Sequence, residues 1–205
     1  MPEAPIIHSR RVIRQMDHFI MALKVDAAMQ RPSFLLSLYW IGYSVDAEPG
    51  HVAYLWTSSD REQPESEVAL TDNQVLFQAL GPRLRPGQFR LSDPDRSADV
   101  AAFRRSTGVD RAIEFSIDAP GMVVEARWAA LDTPVFASGP TSGGDARIST
   151  LLVESREPSA TVNGRAQPGA PFPNPIWRPW FGDERGSCII GLGETIYEPI
   201  LEGTL

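Results

Sequence analysis

The chain has 205 residues, a formal net charge of -7 and a pI near 5.0. This acidic balance argues against nucleic acid as a partner, because phosphate binding needs a basic surface that releases counterions. Lys24 is the only lysine and Cys188 the only cysteine, which removes most lysine chemistry, intramolecular disulfides and every cysteine-rich metal framework.

No apolar run approaches the roughly 20 residues of a membrane span, and no secretory leader opens the sequence. We therefore expect a cytoplasmic, bacterial protein with no membrane partner, forming one domain over residues 1–205, with a helical segment over 1–31 and a β-rich barrel over 33–205. From Ser9 to Arg31 the apolar residues Val12, Ile13, Met16, Phe19, Ile20, Leu23 and Ala27 recur at intervals of three and four. That spacing predicts a helix between a Ser9 N-cap and a Pro32 stop, with a strand over QMDHFIMALKV as the competing reading.

After Pro32, SFLLSLYWIGYSV and HVAYLWTSS flank the turn-forming DAEPG and predict a β-hairpin. VALTDNQVLFQAL reads as one or two strands, GQFRLS as another, and ADVAAFRRSTG as a short helix closed by Gly108. RAIEFSIDA and MVVEARWAAL form a second hairpin around APG, followed by the strands RISTLLVES, ATVNGRA and SCIIGLGETIYE. SSDREQPESE and ASGPTSGGDAR read as surface loops. Several strands are apolar on both faces, so the expected fold is mainly β: an antiparallel barrel or strongly curved sheet with one or two flanking helices.

His8, His18 and His51 lie far apart in sequence with no H-x-H or H-E-x-x-H spacing, so no metal is expected. GLGET lacks a dinucleotide fingerprint and GPTSGGDAR lacks the lysine of a phosphate loop. There is no G-x-S-x-G elbow, and Cys188 among IIGLG reads as a small buried hydrophobe. No cofactor is expected; what remains is acid–base chemistry.

Period two in the last strand puts Leu192, Glu194, Ile196 and Glu198 on one face. If that face lines a cavity, desolvation raises the pKa of Glu194 and suits it to proton transfer; if it meets solvent, Glu194 is an ordinary surface charge. Tyr197, His18 and Asp17 are the other catalytic candidates, although adjacent residues on a helix diverge by about 100°. Tyr39, Trp40, Tyr43, Trp56 and Arg127 are candidates to line a pocket. Between Pro171 and Trp180, four prolines stiffen a segment carrying Trp177 and Trp180; it either closes the barrel end over a ligand or caps the core.

The late run NGRAQPG, the tryptophan-containing loop and the strand GSCIIGLGETIYEP together resemble the closing half of lipocalin-like proteins of the AttH and carotenoid 1,2-hydratase type. The resemblance implies a barrel binding apolar molecules and cofactor-free addition, elimination or cyclisation. It gives functional weight to Glu194, in the matching strand. The expected function is a barrel that binds a small apolar or aromatic metabolite and acts as a cofactor-independent lyase, hydratase or isomerase. The alternatives are a non-catalytic hydrophobic-ligand carrier, a scaffold whose aromatic loop docks a partner, and a cone-shaped α+β cyclase whose N-terminal helix covers the sheet. Homodimerisation is left open by the sequence.

Overall fold

The computed structural model describes residues 10–58, 66–87, 98–108, 110–140, 146–182 and 186–199. The N-terminal segment is a strand, β1 (Arg10–Leu23), and not the helix that its three-and-four spacing predicts. The strand is buried on both sides: Phe19, Met21 and Leu23 join one apolar cluster, while Met16 and Ala22 join another. A strand apolar on both faces carries no alternation to separate it from a helix. Register shifts at Val12/Arg14 and Met16/His18 erase what alternation would remain.

The hairpin after Pro32 forms as expected, from β2 (Phe34–Ser44) and β3 (Gly50–Thr57). VALTDNQVLFQAL divides into β4 (Ser66–Thr71) and α1 (Gln74–Leu84). The divider is Asn73, whose side chain accepts from the Leu76 amide as an N-cap. The predicted helix over ADVAAFRRSTG is instead two strands, β5 (Asp99–Val100) and β6 (Ala102–Thr107). GQFRLS falls almost wholly outside the described residues. β7 (Ile113–Ala119) and β8 (Met122–Leu131) form the second hairpin.

Val135–Pro140, read as loop from residue 137 onward, forms β9 against β10. RISTLLVES and ATVNGRA are mostly one strand, β10 (Arg147–Val162), which turns through Asn163 and Gly164, both at positive φ, into β11 (Arg165–Ala166). The short helix α2 (Arg178–Phe181) precedes β12 (Cys188–Pro199).

These strands make a nearly closed, barrel-shaped mixed sheet in the order β5-β4-β3-β2-β1-β12-β10-β8-β7-β6, with β9 and β11 paired to β10. β1 therefore lies near the middle of the order, between β2 and β12, so the cone-shaped arrangement with a covering N-terminal helix does not form. The two ends of the order, β5 and β6, are separated in sequence by Ala101 alone, whose amide donates to the Thr71 carbonyl at 2.9 Å. One stretch of chain thus leaves the β4 edge and joins the β7 edge. Cross-barrel contacts reinforce the closure: Phe103 stacks on His51 with centroids 4.7 Å apart, and Arg105 pairs with Asp17 at 3.0 Å.

The inner face is a continuous apolar core. Phe19, Phe115 and Trp128 meet with centroids 4.7 to 6.2 Å apart, and the Trp128 indole donates to the Ile20 carbonyl at 2.9 Å. A second layer lies outside β2–β4, where Leu76, Phe77, Leu80 and Leu84 of α1 cover Tyr39, Val52, Tyr54 and Trp56. Two phenols reach carbonyls in the last turn of the helix: Tyr39 donates to Leu84, and Tyr54 donates to Gly81, whose carbonyl also accepts the Arg85 amide. Among the described residues no helix is long and apolar enough to cross a membrane. Trp128→Ala should lower the unfolding free energy by about 3–5 kcal/mol, measured by urea denaturation. A loss below about 1 kcal/mol would mean that the inner face is not a continuous packed core.

Candidate functional site

The last strand does not keep period two. Met16 pairs with Glu194 and His18 with Gly191, so two steps along β1 match three along β12. The extra residue is accommodated at a bulge containing Gly193, which has φ +58, a left-handed conformation that suits glycine. The faces therefore separate: Leu192 packs on the inner cluster, whereas Ile196 packs on the outer one, beside Met16, the partner of Glu194. The shared face expected for Leu192 and Glu194 is corrected by this bulge. Asp17 holds it, with Oδ1 accepting from the Gly193 amide at 2.8 Å and Oδ2 from Arg105.

Glu194 is nonetheless buried, with 8 % of its surface exposed. Its carboxyl folds over Gly191: a methyl placed there would stand 3.3 Å from Glu194 Oε2 and 3.3 Å from Thr150 Oγ1. Among the described residues it has neither a hydrogen bond nor an ion pair. Burial pushes its pKa up to about 7; Arg14 opposes the rise and Asp17 adds to it.

The surroundings of Glu194 are polar side chains in an otherwise apolar layer. His18 is partly buried, stacks on Tyr39 with centroids 3.9 Å apart and shares a hydrogen bond between Nε2 and Ser37 Oγ at 2.9 Å. Desolvation lowers its pKa to about 3, so it is a neutral imidazole at ordinary pH. Tyr39, donating to the Leu84 carbonyl, is held protonated, its pKa raised first by burial and also by Glu194. Arg14, on the same side of β1 as Met16, is 8 % exposed, and its Nε has no partner.

Of the residues expected from sequence, the structure brings together Glu194, His18 and Tyr39, with Asp17 behind them at the bulge. Asp17 and His18 project to opposite sides of a strand, a wider divergence than a helix gives. The expected aromatic pocket does not assemble. Trp56 is buried in the outer layer and donates to the Pro32 carbonyl, Trp40 in β2 is 41 % exposed with its ring over Gly42, and Tyr43 is 45 % exposed. Tyr197 is buried in β12 but pairs with Val12 and Arg147, beyond the Glu194 cluster. Arg127 lies on the polar outside of β8, bound to Asp110 and Glu114. It borders a groove of about 520 Å³ that none of Glu194's neighbours lines.

Trp177 packs with Phe181 on Ala137, Leu152 and Ile189, which is the core-capping alternative for the proline-stiffened segment; the side chain of Trp180 lies outside the described residues. Cys188 is buried, with its thiol pKa pushed up to about 12 by desolvation. Among the described residues no cluster of three histidine, cysteine or acidic side chains could hold a metal.

Sequence reasoning missed Arg14, Ser37 and Thr150. Arg14 falls on the polar side of a helical wheel, and only the strand reading puts it in line with Met16.

No family model and no curated protein matches the sequence. Among solved structures, an acetoacetate decarboxylase from Legionella pneumophila subsp. pneumophila str. Philadelphia 1 is similar at 11% identity, over 97% of this chain and 90% of that one, with a TM-score of 0.41.

The pKa values fix a pH signature. Glu194 holds its proton more tightly folded than at the ordinary value of 4.5. Its contribution to stability is therefore fully present below about pH 4.5 and lost as pH rises through about 7, a change on the order of 3 kcal/mol. His18 acts in the opposite sense: its value near 3 lies below the ordinary 6.5, so its contribution is present above pH 6.5 and lost as pH falls toward 3. The stability of the wild type relative to Glu194→Gln isolates the first effect. That difference should fall as pH rises across the Glu194 window in urea denaturation, whereas a flat difference would place the carboxyl in water.

Proposed function

We propose that this protein is an enzyme of cofactor-independent acid–base chemistry, of lyase, hydratase or isomerase type, acting on a small, largely apolar or aromatic metabolite. Glu194 gives and takes the proton. The observation that carries the reading is its carboxyl, buried without an ion pair and titrating at about 7. Near neutral pH such a group is populated in both protonation states, so it serves as acid to one atom and base to another. The neighbours do not compete for the role, because His18 stays neutral and Tyr39 donates its proton to a helix carbonyl.

The likeness of the C-terminal segment to AttH and carotenoid 1,2-hydratase proteins supports the same class of reaction. A carrier reading has less support. The barrel interior is occupied by Phe19, Phe115 and Trp128, and a carrier has no use for a buried titrating carboxyl.

The test is a panel of small enolisable carbonyl compounds and conjugated alkenes, followed by NMR for deuterium incorporation, hydration or elimination. Any activity found should fall on the order of 10² to 10⁴ in Glu194→Gln, with the fold and melting temperature retained. Wild-type turnover in that variant would sink the assignment.

A further inference from the structure

Arg14 is a buried guanidinium with its Nε unpaired. Among the described residues no carboxylate oxygen lies within 4.0 Å of it, although Glu194 and Asp46 both attract it through space. Burying a charge is costly unless a counter-ion and hydrogen bonds compensate, and removing those compensations is what destabilises a buried pair. Neither Asp46, the stronger of the two attractions, nor Glu194, the diagonal neighbour on β12, supplies them, because neither forms an ion pair with Arg14. Arg14 pairs with Ile196 and Met16 with Glu194, which makes Arg14 and Glu194 diagonal neighbours across β1 and β12. Such neighbours stand about 7–8 Å apart at the backbone, close enough for both side chains to touch one small molecule.

We infer that the molecule acted on is a small carboxylic acid, whose carboxylate is held by the Arg14 guanidinium while its reacting carbon faces Glu194. The inference rests on the acid–base reading of Glu194 and adds the substrate class to it. A guanidinium presents a planar fork of N–H donors that matches a carboxylate, so it fixes orientation as well as charge. The outer layer around the pair supplies the apolar wall for the remainder of the molecule, through Met16, Tyr39 and Ile196. A hollow of about 560 Å³ runs along Gly42–Pro49 and Val75; neither Arg14 nor Glu194 lines it, but it includes Ser44, the register partner of Arg14 on β2, and Asp46, which attracts Arg14. That volume is of the size that small molecules occupy.

The charges around the site give the binding a pH dependence. Arg14 is faced by Asp46 from the hairpin loop, by Arg83 from α1 and by Glu194 from β12; Glu194 is faced by Arg14 and Asp17 from β1. Arg83 is itself 3.9 Å from Asp46. His18 and Tyr39 remain uncharged, and Ser37 and Thr150 contribute only hydroxyls. With Glu194 protonated, an incoming carboxylate meets Arg14 without a like charge beside it; with Glu194 ionised, it meets one. Affinity should therefore fall as pH rises through the Glu194 titration, and a bound carboxylate should in turn raise that titration.

The probe is benzoate, with benzamide as its uncharged counterpart, titrated into the full chain while the arginine Nε signals are followed by ¹⁵N NMR. Benzoate should shift the Arg14 Nε resonance and benzamide should not. Binding should weaken at least tenfold between about pH 6 and pH 8 in the wild type and lose that dependence in Glu194→Gln. Arg14→Gln should abolish it, and Arg14→Lys, which retains the charge, should keep part of it. The wild-type titration stands by itself if either Arg14 variant fails to fold. No shift of Arg14 Nε, equal binding of benzamide, or unchanged affinity in a folded Arg14→Gln would overturn the inference. Benzoate binding that depends on Arg14, together with a fully active Glu194→Gln, would instead sink the acid–base reading and leave the carboxylate site standing.

Discussion

Asp17 is the side chain on which both the closure of the barrel and the direction of Glu194 depend. One of its oxygens receives Arg105 from β6, across the barrel; the other receives the amide of Gly193 at the bulge in β12. The first contact helps draw the far end of the sheet onto its middle. The second stabilises a residue that takes β12 out of phase with period two. In a strand, a phase change of one residue moves every later side chain to the opposite face. Without the bulge, Glu194 would turn toward the inner core of Phe19, Phe115 and Trp128, away from the charge of Arg14. The backbone that closes the fold and the backbone that aims the acid are therefore coupled through one carboxylate.

The rest of the cluster follows from how α1 sits on the sheet. A helix end must place its last carbonyls somewhere, and here Tyr39 and Tyr54 reach them from below. This anchors α1 over β2 and β3 and commits the Tyr39 proton. The same burial keeps His18 neutral. Of Glu194, His18 and Tyr39, Glu194 is the one that titrates near neutrality. Arg14 adds fixed positive charge and unsatisfied donor capacity, so the site joins a proton carrier to an anion anchor in a layer that is otherwise apolar.

The fold class was legible because it rests on composition and turn chemistry: the DAEPG and APG turns each lie between runs rich in branched and aromatic residues, and both hairpins form. The first strand was not legible. Its residues contact apolar neighbours on both sides, so a period of three or four and a period of two fit it equally. ADVAAFRRSTG reads as a helix through its alanines, and it is a strand because it has two sheet edges to satisfy. Glu194 could be singled out as a glutamate among branched residues, but its face could not be assigned. The signal that decides it is a glycine at positive φ, and positive φ is set by pairing with β1, far away in sequence. Arg14 was hidden by the same error that made β1 a helix.

The pairing of β1 with β12 has a consequence for how the site comes into being. Met16 and Glu194 face each other across nearly the whole described chain, whereas β2–β3 and β7–β8 are hairpins closed by short turns. Local hairpins form early, and contacts of large sequence separation form only after the intervening chain has been ordered. Arg14 and His18 come from the first strand and Glu194 from the last, so no partly folded intermediate built from the hairpins holds the acid beside its neighbours. Until β12 docks, Glu194 is an ordinary solvated glutamate and Arg14 an ordinary cation. The perturbed carboxyl therefore appears only with completion of the barrel, and its protonation at neutral pH reports that the whole sheet has closed.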